Sequence, residues 1–358
     1  MDADVIIAGA GLAGACAALH LAPTRRVLVL DAGQPGQGAS GAAAGLVNPF
    51  MGRKAHSAWR RTEALVALHA TLEVARATAL FHNTGVLRPA RDARQAEAFA
   101  DAAAAFPDAA RWHGAEATHE RWPEVVAPHG ALWISDGGTV SIPAMVEALL
   151  AAAQTYGATL HPHAALRAWT STTTGVRVQT TQGDALDAAT LLLAIGDGFQ
   201  AFPALETLPL HRVKGQTVRL ARPPNLPTTL PALSGGVYVV PDADALIVGA
   251  TFEHTFADVD PDPTQSLELR AKAAALLATL ADASVLDARA GVRLTVPRTA
   301  SPKRLPLLGP LPGAPRVWVF TGLGAKGLLT APLLASWLPE ALANPERIPT
   351  EVSTLRLA

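Results

Sequence analysis

Three glycines and an aspartate near the start of the sequence have the spacing of residues that hold a nucleotide. Gly9 permits a tight turn after a strand, Gly11 lets the backbone approach a pyrophosphate, and Gly14 lets the following helix pack closely. Asp31 lies 20 residues after Gly11, where its carboxylate can accept hydrogen bonds from a ribose diol. These residues predict a dinucleotide-binding site, against the alternative of an α/β turn that binds no phosphate.

The elements around these residues are those that such a site needs. Residues 4–8 and 27–30 are short apolar runs typical of buried strands, and residues 15–21 favour a helix. Exposed N–H groups at the start of that helix, with the helix dipole behind them, would hold phosphate. The segment 32–45 is rich in glycine and other small residues, which predicts a cofactor cradle; a flexible linker is the alternative.

Two later strands also end at glycines. Residues 188–195 are fully apolar and lead into Gly196. Residues 316–320 are predicted to form a buried strand that leads into Gly322–Gly327, and a helix is predicted for 328–342. Because this last helix can direct its positive N-terminus at the same ligand, we expect the nucleotide site to be closed from both ends of the sequence.

Composition excludes several classes of protein. The 358 residues carry a formal net charge of −1, which favours neither a nucleic acid nor an anionic membrane as partner. Cys16 is the single cysteine, so an internal disulfide and a cysteine-based zinc site are excluded, and no other metal site is predicted. No apolar run of about 18 residues is free of glycines and charges, so we expect no membrane span. We expect no signal peptide either, and therefore a cytoplasmic protein.

The pattern of elements predicts an α/β fold with two interleaved domains. Further helices are predicted for 57–79, 91–105, 141–156 and 266–280, the last beginning at Asp262 or Thr264 and the third capped by Ser141. Further strands are predicted for 81–87, 131–134, 159–161, 176–180, 217–220, 236–240, 245–248 and 290–294, with a turn at Pro241–Asp242. We expect a Rossmann-like nucleotide-binding domain of residues 1–85, 140–212 and 290–358, and an α+β substrate domain with a mixed sheet of residues 86–139 and 213–289.

Two groups of side chains have more than one interpretation. Three tryptophans fall within 22 positions: Trp112, Trp122 and Trp133. We predict that they form a core rather than a surface for stacking ligands. Four basic residues stand near the start of the helix predicted for 57–79: Arg53, Lys54, Arg60 and Arg61. A solvated helix face is the plainer interpretation, and a docking patch for an acidic substrate is the alternative.

Beyond the first motif, the sequence resembles a known family from end to end. The matching segments are 9–14, Asp31, 38–45, 137–143, 193–196, 213–216, 237–241, 248–251, 290–293, 305–309 and 322–332. They are similar to the FAD-dependent D-amino-acid oxidase superfamily, which includes glycine oxidase, sarcosine oxidase and D-amino-acid dehydrogenases. The resemblance implies FAD rather than NAD as cofactor, bound by a Rossmann-like domain of the glutathione-reductase type.

Two branches of the superfamily resemble this sequence most. Residues 38–41 and 323–332 are similar to the oxidase half of the bifunctional enzyme that completes the 5-methylaminomethyl modification of the tRNA wobble uridine. That half removes a carboxymethyl group from a secondary amine. Residues 249–251 and 290–293 are shared with glycine oxidase. Leu294, where proline is usual, departs from both branches.

The resemblance also implies a reaction and the residues that serve it. The family transfers a hydride equivalent from the carbon next to an amine to flavin N5, and the imine then hydrolyses. Arg293 stands where the family holds the substrate carboxylate, Lys326 lies in the last glycine loop, and Tyr238 lies where a pocket tyrosine is common. A structural ion pair, a solvated lysine and core packing are their respective alternatives. We also expect three more residues near the flavin or substrate: His56, Lys214 and Gln216.

The glycine motifs and the resemblance together predict the contacts of the FAD. The ADP part is expected at the first motif and at Asp31, and the flavin at the later glycine loops. The predicted contacts are Gly9, Gly11, Leu12, Ala13, Gly14, Asp31, Ala32, Ala39, Ser40, Ala43, Ala44, Gly45, Leu166, Ala194, Gly196, Gly322, Gly324, Ala325, Lys326, Gly327 and Leu328.

Three hypotheses of function follow. The first is an FAD-dependent oxidoreductase that oxidises the C–N bond of an amino acid or secondary amine, a glycine-like or N-substituted glycine unit. The second is an oxidase directed at tRNA, in which the basic cluster at residues 53–61 meets phosphate. The third is a non-catalytic FAD-binding protein with the same fold.

Overall fold

The chain folds into two large sheets with helices around them. A computed structural model describes residues 1–357. The helices are α1 Leu12–Leu21, α2 Ala39–Ala42, α3 Arg61–Val74, α4 Ala93–Ala105, α5 Ala115–Arg121, α6 Ile142–Thr155, α7 Pro263–Ala274 and α8 Gly327–Ala341. The strands are β1 Ala3–Ala8, β2 Val27–Leu30, β3 Leu46–Val47, β4 Phe50–Met51, β5 His56–Ser57, β6 Phe81–His82, β7 Val86–Pro89, β8 Ala110–His113, β9 Ala131–Ile134, β10 Gly138–Val140, β11 Thr159–His161, β12 Leu166–Ser171, β13 Val176–Thr180, β14 Ala185–Leu193, β15 His211–Ala221, β16 Ala232–Ser234, β17 Tyr238–Asp242, β18 Ala245–Gly249, β19 Val285–Thr295, β20 Leu307–Leu311 and β21 Ala314–Thr321.

The first eight-stranded sheet contains the βαβ unit that the glycine spacing predicts. Strands β11, β2, β1 and β14 lie side by side and parallel, in that order. Beyond β14 the sheet divides into two branches. The first residues of β14 pair antiparallel with β13, whereas Leu191–Leu193 pair parallel with β21. Strands β12 and β20 extend these two branches as antiparallel neighbours. A mainly parallel sheet needs cover on both faces, and this one has an apolar core on each.

Helices α1, α3, α6 and α8 cover one face of the first sheet. Helix α1 consists largely of alanine, glycine and leucine, and almost all of it is buried. Because its side chains are short, α1 packs closely against α6 and α8 at once. Met145 and Leu149 of α6 and Leu334 of α8 fill the core between them. Within residues 1–357, no helix is long and apolar enough to cross a membrane.

The second eight-stranded sheet has the order β19, β15, β18, β17, β16, β7, β9, β8. It is antiparallel except where β16 meets β7. One face packs Val218 and Val248 against Leu269 of α7. The other face packs Leu132 against Phe99 of α4 in one part, and is lined by glycines in another. That glycine-lined part faces the segment 39–42.

The helix predicted for 57–79 is shorter in the structure, where α3 begins at Arg61. The residues before it are drawn into the β4–β5 hairpin, in which Phe50 pairs with Ser57. Arg60 then takes a left-handed φ of 49°, which sets the start of the helix, and Arg76 takes a φ of 53° just after its end. Helical periodicity in the sequence continued through both of these turns.

Two other local predictions are wrong. The strand predicted for 81–87 is two strands in different sheets, β6 and β7, separated by a turn at Gly85 with a φ of 69°. The turn predicted at Pro241–Asp242 lies two residues later, at Ala243–Asp244, because β17 continues through the proline. Ser141 stands at the predicted cap of α6 but its side chain makes no capping hydrogen bond.

The cap of α7 agrees with one of the two predicted starts. Asp262 precedes the helix, and its carboxylate accepts a hydrogen bond from the N–H of Thr264 at 2.7 Å. The helix ends at Ala274, and residues 278–280 form a separate 3₁₀ turn rather than the last turn of α7.

The tryptophans and the basic cluster have structural roles. Trp122 is buried, and its ring centroid lies 5.2 Å from that of Trp133, so the core interpretation is confirmed for this pair. Arg61 binds Asp108 at 3.2 Å and Asp136 at 3.0 Å, so its charge is neutralised within the fold. The basic cluster is therefore neither a single solvated face nor a patch of four free cations.

The division into two domains stays a prediction. The two large sheets support it, since the strands of each come from separate parts of the sequence. Strand β19 crosses the predicted boundary at residue 290, because it pairs along its length with β15 of the second sheet.

Candidate active site

The first glycine turn brings three backbone segments into contact. Gly9 has a φ of 103°, and a Cβ at this position would collide with the carbonyl oxygen of Ala194 at the end of β14. A Cβ at Gly14 would overlap the carbonyl oxygen of Gly9. Both glycines are therefore required by packing between β1, α1 and β14, and Gly196, with a φ of 53°, follows directly after that contact.

The N-terminus of α1 faces the small-residue segment. Gly11 is the residue before the helix and provides no side-chain cap, and the first turn carries no acidic residue. The N–H of Leu12 donates a hydrogen bond to the hydroxyl of Ser40 at 3.1 Å. The positive end of this helix is thus held by one neutral hydroxyl, which leaves it suited to an anionic ligand.

Asp31 holds the turn in shape. Its carboxylate accepts hydrogen bonds from the N–H of Ala10 at 2.6 Å and from the N–H of Gly33 at 2.9 Å. The carbonyl of Asp31 accepts one from the N–H of Ala164 at 2.8 Å, which places the segment leading to Leu166 beside the loop that begins at Ala32. A ribose contact for Asp31 stays a prediction, and each oxygen keeps a further lone pair for it.

The segment 39–45 links the two sheets. The hydroxyl of Thr217 on β15 donates to the carbonyl of Ala42 at 3.0 Å. A Cβ at Gly291 on β19 would lie 3.0 Å from Cα of Ala39, so the absence of a side chain there lets α2 approach the second sheet. Gly45, with a φ of 78°, packs on the carbonyl of Val140. These contacts agree with the predicted cradle and are not those of a flexible linker.

The last glycine loop meets the first. Gly322 and Gly324 have φ values of 74° and 54°, and the turn at 324–326 leads directly into α8. A Cβ at Gly327 would lie 3.3 Å from the side chain of Leu12, so the starts of α8 and α1 are neighbours. Leu323 also forms a β-bridge with Thr295 at the end of β19. The two ends of the sequence therefore meet at the starts of α1 and α8, as the predicted site requires.

One face of the second sheet is turned toward this site. In antiparallel pairs, directly opposite residues point to the same face, and the register places five residues with Arg293 on this face: Gly291, Gly215, Thr217, Gly249 and Tyr238. The Arg293 guanidinium lies over Gly215, where a Cβ would come within 2.7 Å of Cζ. The Tyr238 hydroxyl lies over Gly249, at 2.6 Å from where a Cβ would be. Glycine at these two positions makes room for the two polar side chains.

Arg293 lies on this face without a carboxylate partner. It donates a hydrogen bond to the carbonyl of Thr251 at 2.9 Å, and its guanidinium lies 4.6 Å from the ring of Phe252. Burial lowers the pKa of Arg293, the phenol of Tyr238 opposes that shift, and no carboxylate of residues 1–357 contributes. The alternative of a structural ion pair is therefore not what this side chain forms.

Tyr238 is the second polar group on this face. Burial raises the pKa of its phenol to about 12, against a smaller opposing effect of Arg293. The hydroxyl therefore stays protonated at neutral pH and can donate a hydrogen bond next to the guanidinium.

Lys326 is bound to the loop that precedes β20. Its amine donates to the carbonyl of Lys303 and, at 3.5 Å, to that of Arg304. Burial lowers the pKa of Lys326, and the charges of Arg304 and Arg298 lower it further. It is thus held in place rather than solvated freely, and its contact with flavin or substrate stays a prediction.

Three weaker expectations are not supported by position. Lys214 and Gln216 alternate with the site residues of β15 and point to the opposite face of the sheet. There Lys214 lies 3.7 Å from Asp258, and the Gln216 amide donates to Ser266 at 2.7 Å. His56 is exposed on the β4–β5 hairpin.

The buried thiol of Cys16 lies in α1, and burial raises its pKa, as expected of a core residue.

A family model now decides the assignment. The model of the FAD-dependent oxidoreductases matches residues 4–341. The chain belongs to this family. It is an FAD-dependent oxidoreductase, and its mixed α/β fold agrees with the predicted one.

Individual relatives give the same result. The chain is 28% identical to glycine oxidase of Pseudomonas aeruginosa, over 97% of both sequences. It is 32% identical, over 97% of its length, to the bifunctional protein of tRNA 5-methylaminomethyl-2-thiouridine biosynthesis from Polaromonas sp., and it spans 57% of that protein. The crystal structure of glycine oxidase from Geobacillus kaustophilus superposes with a TM-score of 0.84 at 25% identity, covering 99% of this chain and 98% of that one.

The residues at the site fit FAD. The Gly9–Gly14 turn, the uncapped N-terminus of α1 and Ser40 suit a pyrophosphate. Gly38 has no atom within 4 Å of where its Cβ would be, so this part of the cradle is open for a ligand. The prediction of FAD rather than NAD is confirmed by the family, whereas the individual contacts of Ala13, Ala43, Ala44, Ala325 and Leu328 stay predictions.

Sequence reasoning missed Phe252 and Thr217 as neighbours of the site. Both flank residues of the matching segments 213–216 and 248–251, so their proximity in sequence was visible. The signal that could have found them is the recurrence of glycine in three strands, at Gly215, Gly249 and Gly291, which marks where another group approaches a sheet closely.

Replacing Gly14 tests the cofactor turn. We expect Gly14→Ala to lose FAD, because the overlap with the Gly9 carbonyl forces α1 away from β1 at a cost of about 1–3 kcal/mol. The measurement is the ratio of flavin to protein absorbance after purification with added FAD. The matched control is Gly236→Ala, at an exposed glycine with open space around it. Equal flavin content in both variants would contradict the packing argument.

Replacing Tyr238 tests its environment. Its pKa of about 12 in the fold exceeds the ordinary value of 10.0, so between these pH values the unfolded chain loses a proton that the folded protein keeps. Stability contributed by this group is complete below pH 10 and falls as pH rises to 12, by about 2–3 kcal/mol. We expect Tyr238→Phe to lose less free energy of unfolding across this window than the wild type.

The chain offers a matched control for this measurement. Tyr156 is the only other tyrosine in the sequence and is 49% exposed. Tyr156→Phe should follow the wild-type pH profile in urea unfolding. If Tyr238→Phe follows it too, the phenol is not shielded from water in the way described.

Proposed function

We propose that the protein oxidises the C–N bond of an amino acid or secondary amine that carries a carboxylate, a glycine-like or N-substituted glycine unit. The observation that carries this proposal is Arg293, a partly buried guanidinium without a carboxylate partner on the face that meets the cofactor cradle. A second donor, the hydroxyl of Tyr238, lies near it.

The electrostatics of Arg293 support an anionic ligand. Its single protein hydrogen bond, to the carbonyl of Thr251, leaves most of its N–H groups available. Taking a cation out of water is costly unless an opposite charge compensates it. A carboxylate matches the guanidinium in shape and can accept two parallel hydrogen bonds.

The remaining residues orient such a substrate. With its carboxylate on Arg293 and Tyr238, whose side chains cover Gly215 and Gly249, the substrate presents its α-carbon toward the cradle. Oriented binding of this kind supplies much of the rate acceleration of an enzyme. The flavin, when bound, accepts the two electrons of the oxidation. A substrate amine that arrives neutral needs no dedicated base, and the imine product hydrolyses in water.

The relatives support the size and class of the substrate. Glycine oxidase of Pseudomonas aeruginosa resembles this chain over nearly the whole of both sequences, and its name gives glycine as its substrate.

Replacing the anchor tests the proposal. We expect Arg293→Leu to keep its flavin and to raise KM for the carboxylated substrate by about 30-fold or more, since truncating one partner of a charged, hydrogen-bonded pair costs about 2–5 kcal/mol. Steady-state oxidation of glycine and sarcosine measures it. The matched control is Arg177→Leu, which removes an exposed arginine paired with Asp187 on the first sheet. An unchanged KM in Arg293→Leu would remove the anchor from the proposal.

We also propose a second candidate, an oxidase directed at tRNA, on a different observation. Four cations gather around the last glycine loop: Arg298, Lys303, Arg304 and Lys326. No carboxylate of residues 1–357 forms an ion pair with any of them within 4.0 Å. The relatives named for tRNA biosynthesis are longer than this chain, so their activity is carried over only as a hypothesis.

Salt dependence tests this second candidate. Each phosphate contact removed should lower the slope of log affinity against log salt by about one. We therefore expect the triple variant Arg298→Gln, Lys303→Gln, Arg304→Gln to show a shallower slope than wild type in tRNA binding. Its control has the same change at Arg25, Arg91 and Arg94, which are exposed on other elements. Absence of tRNA binding by the wild type at low salt would remove this candidate.

A further inference from the structure

An exposed aromatic ring lies beside the anchor. Phe252 is 64% exposed, and its ring centroid is 4.6 Å from Cζ of Arg293. Phe256, in the same loop, also stacks on an arginine, Arg212, at 4.7 Å, but that arginine is paired with Asp197 at 2.7 Å. Phe252 thus differs in covering a cation that has no carboxylate partner, while most of its own surface is left in water.

The strand register places Phe252 on the substrate face. After β18 the backbone pairs again with β15, where Glu253 and Lys214 exchange backbone hydrogen bonds of 2.9 Å. The side chain of Lys214 points to the α7 face of the sheet. Since alternate residues of an extended segment point to opposite faces, Phe252 points to the face that holds Arg293.

The position of the ring restricts what it can touch. A substrate carboxylate held by Arg293 fixes the α-carbon and the nitrogen within a few bonds of the guanidinium. A substituent on that nitrogen either turns into the cradle between the sheets or leaves toward the solvent. Phe252 flanks the guanidinium and is open to solvent, so an outgoing substituent passes its ring.

We propose that Phe252 determines specificity for an aromatic substituent on the nitrogen of a glycine-like substrate, of the N-arylmethylglycine class. The ring covers such a substituent by stacking and removes apolar surface of both groups from water. A methyl substituent is too small to reach it. This inference rests on the proposed function of Arg293 as the carboxylate anchor.

Two carboxylates that lack the oxidisable amine test the role of Phe252 by binding alone. 4-Phenylbutyrate has the shape of N-benzylglycine with CH₂ in place of NH, and butyrate has the shape of sarcosine in the same way. Calorimetry on the FAD-loaded protein gives the ratio of their dissociation constants. We expect the wild type to prefer 4-phenylbutyrate and Phe252→Ala to reduce that preference by about 3- to 10-fold. Phe252→Leu, which keeps apolar surface but not the ring, should lie between them.

The control and the ligand pair separate the possible failures. Phe256→Ala should leave the preference unchanged. If Phe252→Ala weakens both ligands equally, the ring only packs on Arg293 and the inference is overturned, as it is if the wild type shows no preference. If butyrate does not bind the wild type at all, the proposed anchor fails first. Binding of butyrate without a preference for the phenyl group overturns this inference alone.

Discussion

The proposed substrate face of this structure depends on the charge of Arg293. A guanidinium that leaves water without an opposite charge costs on the order of several kcal/mol. The fold offers it one backbone carbonyl, from Thr251, and one aromatic ring, from Phe252. Neither group carries a negative charge, so an anionic ligand would stabilise the guanidinium further. The second sheet can hold this group because Gly215 has no side chain below it.

Close approach of backbones explains why the site is built from glycine. Gly9 and Gly14 let α1 lie on β1 and β14, and Gly291 lets α2 reach the second sheet. Gly327 lets the start of α8 lie beside the start of α1. Close backbone contacts therefore join the predicted cofactor cradle to the Arg293 face of the second sheet. Side chains of that sheet add hydrogen bonds, from Thr217 to Ala42 and from Arg289 to Gly41.

The nucleotide cradle could be predicted from the sequence because its signals are local. The strand, turn, helix and second strand at residues 3–30 follow one another, and each constrains the next. The placing of Arg293 depended on a resemblance, not on a local pattern. That Lys214 points away from it follows from the register between β15 and β19, which are far apart in the sequence. That Arg293 has no carboxylate partner follows from the three-dimensional surroundings of its side chain.

Other features could not be predicted for similar reasons. The ion pairs of Arg61 join residues 47 and 75 positions away, so the basic cluster looked continuous in sequence although the charge of Arg61 is neutralised in the fold. Residues 81–87 contain two turn formers, Asn83 and Gly85, but nothing local specifies that the strands on either side of them join different sheets. Phe252 is one more apolar residue in the sequence, and only the pairing of Glu253 with Lys214 shows which face it takes.

The most direct test compares substrates with and without the carboxylate. Anaerobic reduction of the bound flavin would be followed with glycine and sarcosine, and with methylamine and dimethylamine, which are the same amines without the carboxylate. We expect the flavin of the wild type to be bleached by at least one of the carboxylated amines and far more slowly by its matched partner. Equal reduction by both members of a pair, or reduction only by the amines without a carboxylate, would contradict the role given to Arg293.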